Sequence, residues 1–200
     1  KRSTLTGSLT FASASGPWGM TFKVEEGEKA NAIALEASVR DLVPRGLTAM
    51  LPDVPGLEAL DAPLSGQARL QLSPEGRVLG ANAKLDLGRG VLVIPGNERQ
   101  TIPLEVGTLD MTFDAANRRL LIAPSRLQWN QGHATIAGSI AAVDSAGGKS
   151  VWAVDIKSTD GMLSGDEFAV PAVALEELVL RGNFAPDTGV LAVTQARVRA

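Results

Sequence analysis

The chain has 200 residues, 44% of them hydrophobic and 20% charged, with a formal net charge of -3. That composition supports a sizeable core and excludes a disordered chain. The acidic balance, with no basic cluster denser than Arg118-Arg119, excludes a phosphate-binding surface for nucleic acid.

The first element is a run of period-2 alternation around Leu5-Thr6-Gly7-Ser8-Leu9, the mark of a half-buried strand. Its form (apolar, any, Gly, polar, apolar) returns at Leu64-Ser65-Gly66-Gln67-Ala68, Ile136-Ala137-Gly138-Ser139-Ile140 and Leu180-Arg181-Gly182-Asn183-Phe184. A glycine inside each strand predicts a bulge or a close backbone approach. Between the first two copies, residues 41–62 break the β pattern. Pro44, Pro52 and Pro55 punctuate Leu47, Met50, Leu51, Leu57 and Leu60 at helix-like spacing. This predicts a short helical insertion of one or two helices, starting near Asp41 or Pro44, whose apolar faces plug one end or edge of a sheet. A gate or partner-docking helix is the functional alternative.

From residue 64 onward, hairpins follow one another. Ser73-Pro74-Glu75-Gly76 is a turn before alternation at 78–87, and Gly88-Arg89-Gly90 reads as a hairpin turn between Leu87 and Val91. Alternation at 106–114 puts Leu109, Met111 and Phe113 on one face. Ala115-Ala116-Asn117-Arg118 turns the chain into 119–129, and Asn130-Gln131-Gly132-His133 is a polar turn. Further turns at 144–148 and 186–189 precede alternation at 151–156 and 190–198. The spacing of the copies is irregular, so this is a β-meander and not a strict repeat. The whole predicts one mainly β segment, 1–200: a curved, partly open antiparallel sheet, a groove or half-barrel.

Residues able to carry chemistry are sparse. There is no cysteine, hence no disulfide, thiolate metal site or cysteine nucleophile. His133 is the sole histidine and has no clustered carboxylates in sequence to complete a metal site. Asp53, Glu58 and Asp61 fall in the insertion, and the adjacent Glu176-Glu177 diverge on a strand, so they read as solvated surface against the alternative of acid–base chemistry. Gly7-Ser8 and Gly138-Ser139 lack the nucleophile elbow, 88–90 lacks the Lys-Ser/Thr of a phosphate loop, and 160–167 lacks a calcium ligand series. No catalytic residue, cofactor or metal is expected. Trp18, Trp129 and Trp152 read as core or sheet-end residues, or as the rim of an apolar cleft. No apolar stretch approaches the roughly 20 residues of a membrane-spanning helix. The chain opens on Lys1, and the expectation is a segment cut from something longer.

The order of a strand, a Pro-bounded insertion, "LDAPLSGQARLQLSPEGRV", "AKLDLGRGVLVIPG" and "VGTLDMTFDAANRRLLIAPSRLQWNQGHATIAGSI" resembles the AsmA-like family of bacterial envelope proteins, in particular its YhdP-type branch. The resemblance covers the chain from about residue 39 onward and fits an internal slice of such a protein. It implies a parent anchored in the inner membrane of a Gram-negative bacterium and extending through the periplasm. It also implies a long curled sheet that carries phospholipid toward the outer membrane, and no catalytic residues.

An acyl chain needs a continuous aliphatic lining and no hydrogen bonds. A curled sheet supplies this by pointing alternate residues inward. The candidates are Leu70, Leu72, Leu85, Leu87, Leu109, Met111, Phe113, Ile136, Ile140, Val154, Ile156, Leu178 and Leu180. Expected partners are phospholipid acyl chains, adjacent segments of the same parent, and further copies through exposed edge strands. Two other classes stay open: a structural envelope spacer or interaction domain whose β interior is a closed core, and a hydrolase with scattered carboxylates.

Overall fold

A computed structural model describes residues 4–13, 16–27, 32–48, 57–94, 100–130, 132–144, 150–165, 170–185, 188 and 190–200. The fold is mainly β, with almost no helix. Fifteen strands follow in chain order: β1 (Thr4–Ser13), β2 (Gly16–Glu26), β3 (Ile33–Leu42), β4 (Leu60–Asp61), β5 (Leu64–Leu72), β6 (Val78–Leu87), β7 (Gly90–Ile94), β8 (Gln100–Leu104), β9 (Val106–Asp114), β10 (Arg119–Trp129), β11 (Gly132–Asp144), β12 (Ser150–Gly165), β13 (Val170–Leu175), β14 (Glu177–Ala185) and β15 (Val190–Arg199). Eleven form one antiparallel path, β1-β2-β3-β5-β6-β9-β10-β11-β12-β14-β15, with β13 attached to β12. The sheet is not closed into a barrel. Ten inter-strand steps of about 4.8 Å make it about 48 Å across.

The predicted hairpins at 64–87 and 106–129 fall where the spacing puts them, and their turns show why. Gly76 takes φ 81 and its N–H donates to the Ser73 carbonyl at 2.9 Å. The Ser73 hydroxyl donates to Glu75 at 2.6 Å, which holds that carboxyl below its ordinary range. In the next turn the Asn117 side chain and backbone amides donate to Asp114, lowering its pKa, while Arg118 takes φ 49. The turns expected at 144–148 and 186–189 lie largely outside the described residues.

The insertion holds short helical segments, the first starting at Pro44 as expected. Its described parts are two 3-10 turns, Pro44–Leu47 and Leu57–Ala59, and not α-helices. Met50, Leu51, Pro52 and Pro55 lie outside the described residues. Leu60–Asp61 is a strand, and with β7 and β8 it forms a second sheet of order β4-β7-β8. Gly88-Arg89-Gly90 is likewise not a hairpin turn. β6 pairs with β5 and β9, while β7 pairs with β4 and β8, so these residues carry the chain between sheets. The Gly88 N–H donates to the Pro63 carbonyl at 2.8 Å, and a side chain at Gly90 would run into Asp61 and Ala62.

Three of the four repeated glycines sit where the sheet bends. Gly66, Gly138 and Gly182 lie opposite Leu85, Ile156 and Val193, and in each case a Cβ would strike the backbone of that neighbouring strand. At Gly182 the Ala192 carbonyl oxygen would be 2.7 Å away. The adjacent strand is therefore folded up toward the face on which these glycines sit. At Gly7 the space is filled by the Phe22 ring.

Register breaks concentrate at one end of the strands: β3/β5, β9/β10, β10/β11 and β11/β12 all shift there. Serine hydroxyls repair the ladder at these breaks. Fully buried Ser125 accepts from the Asp110 N–H at 3.0 Å and donates to the Ala123 carbonyl at 2.8 Å, beside Pro124, which has no donor. Ser158 donates to the Asp160 carbonyl at 3.0 Å. Ser65 accepts from the N–H of Asp41, itself at φ 57.

Three outcomes are expected. Gly138→Ala should destabilise by about 1–3 kcal/mol in urea unfolding, because the neighbouring backbone must give way. Gly19→Ala, where the nearest neighbouring atom to a Cβ is 4.0 Å away, should change stability by about 0.5 kcal/mol or less. Ser125→Ala should cost about 1–3 kcal/mol by orphaning the Asp110 N–H, and amide exchange at Asp110 should accelerate.

Candidate functional site

Residues directly opposite in an antiparallel pair share a face, so the register assigns every strand residue to one side. One row crosses the whole sheet: Leu5, Val24, Leu35, Leu70, Ala81, Phe113, Leu120, Ile140, Val154, Gly182 and Val193. The next row on the same face is Gly7, Phe22, Ala37, Ala68, Ala83, Met111, Ile122, Gly138, Ile156, Leu180 and Ala196. Neither row contains a polar side chain. The row between them belongs to the opposite face: Lys23, Glu36, Arg69, Asn82, Thr112, Leu121, Ser139, Asp155, Arg181 and Gln195.

All thirteen sequence candidates lie on the apolar face. Leu72 sits opposite Ile33, Leu87 opposite Leu64 and Gly107, Leu109 opposite Leu85, Ile136 opposite Ser125 and Ser158, and Leu178 opposite Ser158 and Val198. The remaining seven (Leu70, Met111, Phe113, Ile140, Val154, Ile156 and Leu180) occupy the two rows above.

Their surroundings differ. At the bulged end, buried Leu64, Leu87 and Leu104 form a cluster, with Leu42, Leu60, Leu85, Leu92, Leu109 and Leu127 packed against it. Leu60, Leu92 and Leu104 come from the small sheet. The small sheet therefore covers the apolar face there, and Leu85, Leu87 and Leu109 belong to a local core. Away from this lid the other ten candidates are half-buried, although no second layer of described residues faces them. On β6, exposure alternates: Ala81, Ala83 and Leu85 are more sheltered than Asn82, Lys84 and Asp86. Together with the glycine contacts, this marks the apolar face as the inner side of the bend.

Sequence reading missed the small residues of the second row. Ala37, Ala68 and Ala83 are neighbours on three adjacent strands. Their row neighbours are Leu35, Leu70 and Ala81 on one side and Val39, Gly66 and Leu85 on the other, so small side chains keep the floor low across these strands, with leucines at its corners. The signal was strand pairing: an alanine within a strand looks unremarkable until its partners prove to be alanines too.

The polar face is held by direct cross-strand ion pairs, Lys84–Asp110 at 3.3 Å, Arg181–Asp155 at 3.1 Å and Arg199–Glu177 at 3.4 Å. Exposed pairs of this kind add little stability, but they oppose register slips that would turn charge onto the apolar face. His133 sits on this polar side, half-buried and opposite Met162. Asp61 pairs with Arg45 at 2.8 Å, and Asp53 lies outside the described residues. Among the described residues no three His, Asp or Glu side chains form a metal-binding cluster, and no helix is long and apolar enough to cross a membrane.

The tryptophans all belong to the apolar face. Trp18 stacks on Phe11 with centroids 4.1 Å apart, Trp152 tilts against Phe184 at 6.2 Å, and buried Trp129 covers Gly132. No family model, curated protein or solved structure matches the chain.

The division between lid and open face is measurable. Leu87→Ala should cost about 2–4 kcal/mol, as truncation within a packed cluster does. Leu70→Ala, half-buried with no covering layer, should cost about 1 kcal/mol or less, read from chemical denaturation of both variants.

Proposed function

We propose that this chain is a non-enzymatic lipid-transfer module whose apolar face guides phospholipid acyl chains. The observation that carries the reading is the pair of uninterrupted apolar rows across eleven strands, roofed by described residues at one end only. Burying each methylene is worth about 0.8 kcal/mol and needs no directed partner, so an acyl chain gains from such a face wherever it lies. Half of a bilayer's hydrocarbon thickness, about 15 Å, matches roughly three inter-strand steps. One acyl chain laid across the strands therefore spans the Ala37–Ala68–Ala83 dip. Headgroups stay at the solvated rim.

The lining chemistry favours lipid over a specific protein partner. Protein interfaces draw their energy from buried Tyr, Trp and Arg anchors. The two central rows of this face hold no Tyr, Trp or Arg; Phe22 and Phe113 are their only aromatics, and Trp152 and Phe184 lie beside them. With the AsmA-like resemblance, the reading extends to a periplasmic segment of an inner-membrane-anchored parent that moves phospholipid between the two membranes and supports outer-membrane homeostasis. The Leu64/Leu87/Leu104 cluster favours the alternative of a structural spacer with a closed core, but that cluster is confined to one end.

Met111→Asp separates the two. It sits between Ala83 and Ile122 beyond the lid cluster. On an accessible face the carboxylate stays hydrated, so stability should fall by about 1 kcal/mol or less. Phospholipid co-purified with the protein, read by native mass spectrometry and organic extraction, should drop sharply. A loss of several kcal/mol, the signature of an unpaired carboxylate in a core, would favour the spacer.

A further inference from the structure

The two edges of the main sheet are not equivalent. Eleven antiparallel strands make β1 and β15 run in the same direction. Joining β15 of one copy to β1 of another with apolar faces flush therefore gives a parallel pair and an open-ended array. Joining like edge to like edge about a two-fold axis normal to the sheet gives an antiparallel pair with faces flush, and closes at two.

Native sheets blunt their edges with charge, proline or bulges. β15 carries Arg197 and Arg199, and its pairing with β14 shifts at Arg181/Gly182. β1, with sequence TLTGSLTFAS, has neither charge nor proline, and pairs with β2 without a break from Thr4 to Ser13. Leu5 and Leu9 are 62% and 45% exposed, though their rows continue as apolar neighbours across the sheet. They lack cover because nothing among the described residues lies beyond β1.

We propose that β1 is a self-pairing edge: two copies of this chain join β1 to β1 antiparallel, with Ser8 opposite Ser8. This register uses residues 4–12 in full and keeps every face matched. Leu5 meets Phe11, Gly7 meets Leu9 and Thr6 meets Thr10, so apolar lies against apolar and hydroxyl against hydroxyl, with no like charges opposed. The apolar surface then runs unbroken through both copies. The inference stands on the edge alone and does not require the lipid reading.

The test uses the 200-residue chain. It has no cysteine, so Ser8→Cys introduces a single thiol at an exposed position. Directly opposite Cα atoms lie about 4.5–5.5 Å apart, within disulfide reach. Mild oxidation should convert Ser8→Cys to a covalent dimer, while Gln195→Cys on β15 should stay monomeric on the same gel. Sedimentation should show the mass of the unmodified chain doubling with concentration. The doubling should be lost in Thr6→Lys/Thr10→Lys, which opposes lysines across the pair, with circular dichroism and melting unchanged. A monomer at all concentrations, an open-ended rise in mass, or association that survives the lysines and yields instead to Gln195→Lys would overturn the proposal.

Discussion

A sheet whose one face is predominantly apolar and, among the described residues, covered only at one end must keep its register, because a slip of a single residue exchanges the faces of an entire strand. Most features of this chain follow from that constraint. The ion pairs of the polar face, Lys84–Asp110 and Arg181–Asp155 among them, join residues that are directly opposite, so a slip of either strand would turn its charge onto the apolar face and leave the partner unpaired. At the β9/β10/β11 and β11/β12 bulges, where the register changes, buried Ser125 and Ser158 take over ladder bonds. The extra residue is absorbed without turning a charged side chain inward.

The β architecture was legible because alternation, turn chemistry and length agreed. Ser73 to Gly76 and Asp114 to Arg118 turn through contacts that their residue types dictate, and β6, β9 and β10 begin and end where the alternation does. The insertion was legible as short helical turns beginning at Pro44, but their 3-10 geometry and the two-residue strand at Leu60–Asp61 were not, because apolar spacing at 47–60 carries no sign of which strand a short segment pairs with. Gly88-Arg89-Gly90 looked like a hairpin turn because glycine also serves a corner between sheets, where Ala62 comes too close for any side chain at Gly90. Faces were legible strand by strand. Which strands are neighbours was not, and neither the Ala37–Ala68–Ala83 dip nor the lid over Leu87 could be found without that knowledge.

The glycine pattern shows how sequence recurrence can serve curvature without being a structural repeat. Gly66, Gly138 and Gly182 lie on strands that run the same way and leave the bulged end, each tucked under the strand that follows it in the path. The intervals between them vary because insertions at 43–63, 88–105 and 166–176 enter only at that end. Every link at the opposite end joins consecutive strands of the main sheet. The recurring unit is therefore a bend and a hairpin, and what lies between the units is free to differ.

That asymmetry gives the two ends different physics. The bulged end holds the leucine cluster, the buried serines and the small sheet, which are the groups that raise the local free energy of opening. The hairpin end has turns and ladder bonds but no covering layer among the described residues. On the proposed reading, an acyl chain laid across the strands has the apolar wall of the lid on one flank and solvent on the other, so its headgroup is turned to the hairpin rim without any residue having to recognise it. Selectivity of that kind depends on where apolar surface stops, not on a binding pocket. It fits a face whose two central rows, from Leu5 to Val193 and from Gly7 to Ala196, contain no hydrogen-bonding side chain at all.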